Sequence, residues 1–406
     1  MYKTECSTCH TIYPELNEYG EAFLKNAYVY TGKPRAGSEA EAAAAEGTGG
    51  AESAARKEKG SQSLEPRGKV NEGIWLAGIP EIIPISFTAS LNLAYDEHPA
   101  NGDKVDLSTR ALLLNAGGAF RDKAGFFLSY VPYSEGSFDP STSNTPLNNA
   151  TNIQELFFVW RHLLDTPVNL KVGRFEPKLS LWKSKNNITV SALAPLVYRV
   201  GNSLYTVTAP EDGLEANAVI GNRLFVAGGV VNRKGQNTKE GYGHVSCKFG
   251  GADLLGHEPS MDLDNESIWD YLSATIGAYS YYGRNAVNDV GNYYYRTGVD
   301  LDVLYKRLRV RVGGVEGWDG NPTFAATKAA LRSFVLASEA EYLVGSQVIG
   351  AFRYEYQDDG AGITRRYIPT VAYAPLQNTK LTLEYKYEAA PAQIDRIAVL
   401  GLMFSF

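Results

Sequence analysis

The most constraining feature of the sequence is a set of long runs in which apolar and polar residues alternate. In residues 83–95, Ile85, Phe87, Ala89, Leu91, Leu93 and Tyr95 fall on one face, and Ser86, Thr88, Ser90 and Asn92 fall on the other. Residues 379–389 repeat the pattern with leucines and tyrosines on one face. Because successive side chains of a β-strand point to opposite faces, this period of two predicts strands with one apolar and one polar face.

The alternating runs are numerous, and they continue to the end of the chain without an intervening helical pattern. We count sixteen of them, at residues 83–95, 105–119, 125–133, 152–162, 167–176, 213–221, 223–232, 242–250, 268–284, 293–306, 308–317, 331–344, 347–358, 365–376, 379–389 and 394–406. A soluble β-sandwich also alternates, but its strands are rarely this long, and here the polar face is richly charged. An all-β, transmembrane antiparallel β-barrel of about 16 strands, with a water-filled interior and aromatic girdles, explains both features.

The lengths of the connections agree with such a barrel. If residue 83 starts on the periplasmic side, the short connections on that side are Arg121–Ala124, Leu163–Pro167, Asn222, Arg307, Gly345–Ser346 and Gln377–Asn378. The long connections 134–151 and 177–212 then fall on the opposite side, as is usual for outer-membrane barrels. We expect residues 177–212 to fold inward and narrow the pore. One long connection, 251–267, breaks the rule because it falls on the periplasmic side.

Composition divides the chain into three regions. Residues 1–35 contain a cysteine motif, and the spacing of Leu16, Tyr19, Phe23 and Leu24 after it predicts a short amphipathic helix. Residues 36–73 form an Ala/Glu/Gly/Ser-rich tether and lead-in, and residues 74–406 form the predicted barrel. The net charge of −6 is modest and mixed along the chain, which argues against nucleic-acid binding. The first residues lack the apolar core of a signal peptide, so we expect that a leader was removed or lost.

The segment CSTCH, Cys6 to His10, carries the chemistry of the first region. Two cysteines at this spacing, followed at once by histidine, form the attachment signal of a c-type haem. Cys6 and Cys9 would form thioethers with the two vinyl groups, and His10 would give its imidazole to the iron. The alternatives are a disulfide, half of a zinc site, or a chance occurrence of the motif. The chain has no second cysteine pair to complete a zinc site, and with three cysteines in the whole chain a chance match is rare.

Several stretches resemble known bacterial proteins. LGLMFSF, which ends at Phe406, resembles the terminal strand of bacterial outer-membrane proteins, and the stretch around Val172–Phe175 resembles a strand of large bacterial porins. The stretch CSTCHTIYPELNEYGEAFLKNAYVY resembles the N-terminal monohaem segment of outer-membrane porin-like proteins of metal-respiring and other anaerobic bacteria, with Ala27 where that family often has Gly.

These resemblances imply a porin in the bacterial outer membrane that carries one haem c on its periplasmic side and functions in electron transfer at or across the membrane. The implied partners are periplasmic or outer-surface multihaem cytochromes, the lipid bilayer and small solutes. Two alternatives stay open. One is a general diffusion porin with a structural haem, and the other is a barrel scaffold that encloses a multihaem cytochrome. No catalytic motif is visible, so we expect no enzyme.

The second axial ligand of the haem iron is less constrained. The order and direction of the predicted strands place His98 and His244 toward the external side of the membrane, away from a periplasmic N-terminus. His162 falls at the lipid interface, whereas His257 lies in the long periplasmic connection. His257 is therefore the candidate, with Met261 as an alternative. A surface role for both residues, a five-coordinate iron, or a haem lifted into the lumen also stay open.

Parity also assigns charged side chains to the barrel interior. The predicted pore-lining residues are Arg110, Arg296, Arg309, Arg311, Arg353, Glu355, Glu384 and Lys386. We expect them to form a solvated wall. Because both signs are present, we expect no sharp anion or cation selectivity.

Overall fold

The computed structural model describes residues 10–11, 15–26, 85–99, 103–120, 123–133, 153–182, 187–207, 209–233, 238–258, 267–376 and 378–405. Cys6, Cys9, Met261, Phe406 and the predicted region boundaries at residues 35 and 73 lie outside them. Within the described residues the strands are β1 (Ile85–Asp96), β2 (Val105–Phe120), β3 (Ala124–Tyr133), β4 (Ile153–Trp160), β5 (Val168–Phe175), β6 (Val197–Val200), β7 (Ser203–Thr206), β8 (Glu211–Ile220), β9 (Leu224–Arg233), β10 (Thr238–Gly250), β11 (Leu272–Val287), β12 (Val290–Tyr305), β13 (Leu308–Asp319), β14 (Leu331–Leu343), β15 (Val348–Asp358), β16 (Ile363–Leu376), β17 (Thr379–Ala389) and β18 (Ile394–Ser405).

Sixteen of these described strands close into one antiparallel barrel. Neighbours along the chain pair throughout, with β5 pairing with β8, and β6 and β7 form a separate hairpin. β18 closes the cylinder on β1, in a register that runs from Thr88 opposite Ser405 to Asp96 opposite Ile397. The predicted fold class and strand number are confirmed, and the predicted strand limits agree within four residues at every boundary.

The apolar face of the strands is the outer face of the barrel. Val299 is 61% exposed and Leu383 is 59% exposed, whereas the next residues along their strands, Asp300 and Glu384, are buried. A soluble sandwich would show the reverse, because its apolar faces pack against each other in the core. An outward apolar belt around a polar interior is the arrangement of a transmembrane barrel.

The two ends of the barrel differ. At the end where β1 begins and β18 finishes, which we call the short-turn end, several connections are tight, such as 221–223 and 306–307. The exception is 251–271, which is long, as the sequence predicts. The opposite, long-loop end carries 134–152 and 176–210. It also holds a two-residue hairpin turn at Asn288 and Asp289, whose positive φ angles match the twist of the flanking strands.

The connection between β5 and β8 folds into the barrel, as the sequence predicts. We call residues 176–207 the lumen loop. It contains the β6–β7 hairpin, and its apolar side chains are buried inside the cylinder: Leu179, Trp182, Ile188, Leu193, Leu196, Tyr198, Val200, Tyr205 and Val207. The apolar core of this protein therefore lies where the lumen loop meets the inner wall.

A single helix, α1 (Glu18–Lys25), is found in the described part of the N-terminal region. Asn17 caps it, because its side-chain oxygen accepts hydrogen bonds from the backbone N–H groups of Tyr19 and Gly20, both at 3.0 Å. The predicted short amphipathic helix is thus confirmed. Among the described residues, none of the helices has the length and apolar character needed to span a membrane.

Candidate functional site at the short-turn mouth

The segment that follows the cysteine motif is held inside the short-turn mouth of the barrel. Glu15 is almost fully buried, and its carboxylate accepts a hydrogen bond from Nη1 of Arg309 at 2.5 Å. Arg309 also donates to both carboxylate oxygens of Asp302, at 2.9 and 2.6 Å. One guanidinium near the start of β13 therefore joins the N-terminal segment to the wall through charge-paired hydrogen bonds, those to Asp302 being bidentate.

α1 continues the contact across the neighbouring strands. Glu18 forms an ion pair with Lys248 at 2.7 Å, and the same carboxylate oxygen accepts a hydrogen bond from Ser273 Oγ at 2.7 Å. At the other end of the helix, Asn26 Nδ2 donates to the Leu254 carbonyl oxygen at 2.7 Å. α1 is thereby fixed at both ends, to the wall and to the long connection 251–271.

α1 docks with its polar side, and its apolar residues lie on another side. Within α1, Ala22 and Lys25 are buried, whereas Tyr19, Phe23 and Leu24 are half-buried. The lumen wall is polar, so it pairs with the charged side of the helix. An apolar helix side directly after the cysteine motif suits a large apolar group such as a porphyrin.

His10 lies in the described part of this segment. It is half-buried and forms a backbone bridge with Leu16, and the Thr11 N–H donates to the Glu15 carbonyl oxygen at 3.0 Å. These contacts turn the chain back on itself just before α1. The predicted iron ligand is therefore tied to a segment that is itself anchored in the mouth. An imidazole in the segment just before a helix with half-buried apolar residues is compatible with a haem c.

His257 lies at the same end of the barrel, in a tight turn built around Asp253. The Asp253 carboxylate accepts hydrogen bonds from the N–H groups of Leu255 and His257, both at 2.9 Å, and lies 3.0 Å from Nδ1 of His257. Burial alone would raise the pKa of the Asp253 carboxyl. The hydrogen bonds from His257 and Leu255 outweigh burial, and they hold this pKa below its ordinary value.

The other histidines of the described chain have different surroundings. His98 lies at the long-loop end, where its Nδ1 is 3.2 Å from Asp395. His162 is exposed in the short-turn connection 161–167. His244, predicted to lie toward the external side of the membrane, is on β10 and buried in the barrel wall. Its ring contacts the Leu179 carbonyl oxygen of the lumen loop.

The predicted pore-lining charges lie on the inner face and are mostly buried in specific contacts, where the sequence led us to expect a solvated wall. The structure places Arg296, Arg311, Arg353, Glu355, Glu384 and Lys386 at 5% exposure or less, with Arg309 in the mouth contact described above. Arg110 lies in β2, and its side chain is outside the described set. Burial of this kind is stable because each charge has partners.

Several of these charges hold the lumen loop. Glu384 accepts hydrogen bonds from the backbone N–H groups of Val190 and Ser191, at 2.7 and 3.0 Å. Arg353 donates to Thr189 Oγ1 at 2.7 Å and to the carbonyl oxygens of Ser191 and Ala192 at 3.2 Å. Wall side chains of both signs therefore satisfy the polar backbone of a loop that crosses the lumen.

Other contacts of the loop were not evident from the sequence. Asp300 accepts hydrogen bonds from Ser180 Oγ at 2.7 Å and from the Leu181 N–H at 2.9 Å. The Arg296 guanidinium lies 4.9 Å from the ring centre of Tyr205 and pairs with Asp319 at 2.7 Å. The alternation along the strands identifies Asp300 and Arg296 as inward-facing residues. It does not show which inward-facing residues contact the lumen loop, because that depends on the path of the loop inside the barrel.

Comparison with known proteins identifies the fold. No protein-family model matches the sequence, and no curated protein matches it. Solved structures do match. The anion-selective porin from Comamonas acidovorans is similar with a TM-score of 0.58 at 12% identity, over 80% of this chain and 99% of that one.

Two further porin-fold structures have comparable similarity. OprB from Pseudomonas putida matches with a TM-score of 0.54 at 12% identity, over 80% of this chain and 94% of that one. OmpF of Salmonella typhi, solved in complex with daunomycin, matches with a TM-score of 0.54 at 10% identity, over 80% of this chain and 97% of that one. At these identities the similarity concerns the fold alone: the chain is a porin-like 16-strand barrel.

Proposed function

We propose that this protein is a porin-fold barrel of the bacterial outer membrane that carries one haem c at its short-turn mouth and exchanges electrons there with partner proteins. The observation that carries the proposal is the anchoring of the segment next to CSTCH. The pairs Glu15–Arg309 and Glu18–Lys248 fix this segment inside the mouth. These charge pairs keep the segment at the mouth, because either partner would be left uncompensated without the other.

The orientation follows from the ends of the barrel. Bacterial outer-membrane barrels have short periplasmic turns and longer external loops. The short-turn end, with α1 and His10, then faces the periplasm, where haem c is attached. The predicted tether, residues 36–73, would allow the haem-bearing segment to move away from the barrel. The contacts of residues 15–26 favour a haem that stays at the mouth.

Cys6 and Cys9 would hold the haem covalently, and His10 would be the first protein ligand of its iron. When bound, the haem supplies reversible one-electron exchange. The chain contributes Phe23 of α1 and Leu16 just before the helix, and these apolar side chains would limit water at the porphyrin. Limited solvent access is one of the means by which proteins set a haem potential.

Distance restricts the electron path. The hydrocarbon core of a bilayer is about 30 Å thick, which is far more than one haem at one mouth can bridge. The lumen loop, held by Arg353 and Glu384, crosses the interior. A folded multihaem cytochrome would enter the barrel only if this loop left it. We therefore favour partners, such as multihaem cytochromes, that dock at the periplasmic face over a scaffold that encloses one.

A second function, passage of small solutes, is supported by the fold. The similar structures are porins, one of them described as anion-selective. Sixteen-stranded porins leave an aqueous channel. In this chain the channel is narrowed by the lumen loop, and the inner-wall charges of both signs are largely paired, so we expect low conductance with weak selectivity.

Purification from the outer membrane tests the proposal. The wild-type protein should carry covalent haem, detected by a haem stain and by the pyridine haemochrome spectrum, and the Cys6→Ser/Cys9→Ser variant should carry none. Single-channel recording of both proteins measures solute passage separately. A folded wild-type barrel without covalent haem, expressed together with a haem c attachment system, would refute electron transfer and leave the solute pore.

A further inference from the structure

We propose that His257 is the second protein ligand of the haem iron and that Asp253 is the residue that positions it. This inference rests on the proposed function, because it needs a haem attached at Cys6 and Cys9. It names a pair of residues far from the motif in sequence, which the fold brings to the same mouth.

The first support is the orientation of the His257 ring. Its Nδ1 lies 3.0 Å from the Asp253 carboxylate, which favours the tautomer in which Nδ1 donates and Nε2 is the nitrogen left to bind a metal. Metal-ligating histidines almost always donate their other ring N–H to a carboxylate, a carbonyl oxygen or water, which fixes tautomer and ring direction. The His257 side chain is 52% exposed, so its ring is accessible.

The second support is the rigidity of the turn. Asp253 N–H donates to the His257 carbonyl oxygen at 2.9 Å, and the Gly256 N–H donates to the Asp253 carbonyl oxygen at 3.0 Å. Together with the two N–H groups bound by the Asp253 carboxylate, these bonds define the backbone from 253 to 257. A fixed backbone and a fixed ring reduce the conformational entropy that a ligand must lose on binding.

The third support is that the turn and the haem segment are attached to each other. Asn26, at the end of α1, donates to the Leu254 carbonyl oxygen at 2.7 Å, and the Ala252 N–H approaches Glu18 at 3.5 Å. α1 follows CSTCH closely in the sequence. The same helix thus contacts the turn that carries His257 and leads back to His10.

The other described histidines fit less well. His98 lies at the opposite end of the barrel, and His244 is buried against the Leu179 carbonyl oxygen. His162 shares the short-turn end but belongs to a different connection, 161–167, where its backbone N–H binds the Asn169 side chain at 3.3 Å. His257 lies at the short-turn end, and its ring is accessible and has a carboxylate partner. Its turn also contacts α1 through Ala252 and Leu254.

The experiment compares His257→Ala with His98→Ala in the full-length protein. His98 is a matched control, because it is 49% exposed and also holds an aspartate through Nδ1. We expect low-spin absorption and electron paramagnetic resonance spectra for wild type and His98→Ala. For His257→Ala we expect a high-spin spectrum that added imidazole converts back to low spin.

A second variant, Asp253→Asn, isolates positioning. Its amide oxygen can still accept the backbone N–H groups of the turn, but the side chain loses the carboxylate that receives the proton of the His257 ring. We expect a mixture of spin states and a shifted reduction potential with unchanged haem content. A purely structural role of the turn would leave both spectrum and potential as in wild type.

The outcomes separate the two proposals. If the pyridine haemochrome assay finds no covalent haem in wild type, the proposed function fails. If haem is attached and His257→Ala keeps the low-spin spectrum, His257 is not the ligand, and the proposed function stands. If wild type itself is high-spin, the iron has no second strong-field ligand and the inference is wrong.

Discussion

Arg353 is the best residue with which to test whether the inner wall holds the lumen loop. Its side chain is fully buried on β15 and donates three hydrogen bonds to the loop, at Thr189, Ser191 and Ala192. It also pairs with Glu355 at 3.1 Å. The substitution Arg353→Met keeps much of the length of the side chain while removing its charge and all of its donors.

The expected cost follows from these partners. Removing one member of a buried ion pair costs about 3–5 kcal/mol, because the remaining charge loses its compensation. Glu355 retains Arg366 at 3.5 Å and the Ala194 N–H at 3.1 Å, which lowers the penalty. We therefore expect Arg353→Met to lower the free energy of unfolding by about 3 kcal/mol, at the lower end of that range.

The assay combines denaturant unfolding in lipid with single-channel recording. Arg332→Met is a matched control, because Arg332 is exposed on β14, and we expect it to change stability by less than about 0.5 kcal/mol. Arg353→Lys keeps the positive charge but lacks the planar guanidinium with its several N–H donors. Its stability should therefore lie between those of wild type and Arg353→Met. Arg353→Met should also raise conductance. Wild-type stability and conductance in Arg353→Met would refute the anchoring.

Three further changes test other parts of the structure. Glu15→Gln removes the carboxylate facing Arg309, so we expect protease to cleave the N-terminal segment faster while the barrel stays intact on gels; an unchanged cleavage rate would show that this pair does not hold the segment. Gly250→Ala should lower the free energy of unfolding by about 1–3 kcal/mol, because φ is +65° and a Cβ there would overlap the Leu272 carbonyl oxygen; equal stability would contradict this. Val299→Arg on the outer face should cost about 2–4 kcal/mol in lipid, and an unchanged unfolding midpoint would argue against a bilayer there.

Much of the barrel was predictable because its determinants are local. A period of two marks each strand, and short turns fix which strands are neighbours, so strand number and closure follow from the sequence. The β6–β7 hairpin was not predictable in the same way. Its strands are short, and the burial of Tyr205 depends on ring contacts that include Tyr281 and Tyr294, which belong to distant strands.

The site was predictable in part. The haem motif at Cys6, Cys9 and His10 stays a prediction, whereas the apolar spacing predicts α1, which the structure contains. The docking of α1 was not predictable from that pattern, because apolar periodicity normally marks the buried side of a helix. Here Glu15 and Lys25 are among the buried residues, since the surface that receives the helix is polar. The contact between this helix and the His257 turn needs the folded barrel.

The polar interior also explains how both internal elements are held. In a soluble core, many weak apolar contacts contribute together, and one substitution removes a fraction of them. In this lumen, directional contacts such as Glu18–Lys248 and Glu384 with the loop backbone are added to the apolar packing of the lumen loop. Each such contact is costly to leave half-made, because the partner stays buried and unpaired. Single changes at charged wall residues should therefore loosen the element that they contact, α1 more readily than the lumen loop, because the loop is also held by apolar packing against the inner wall.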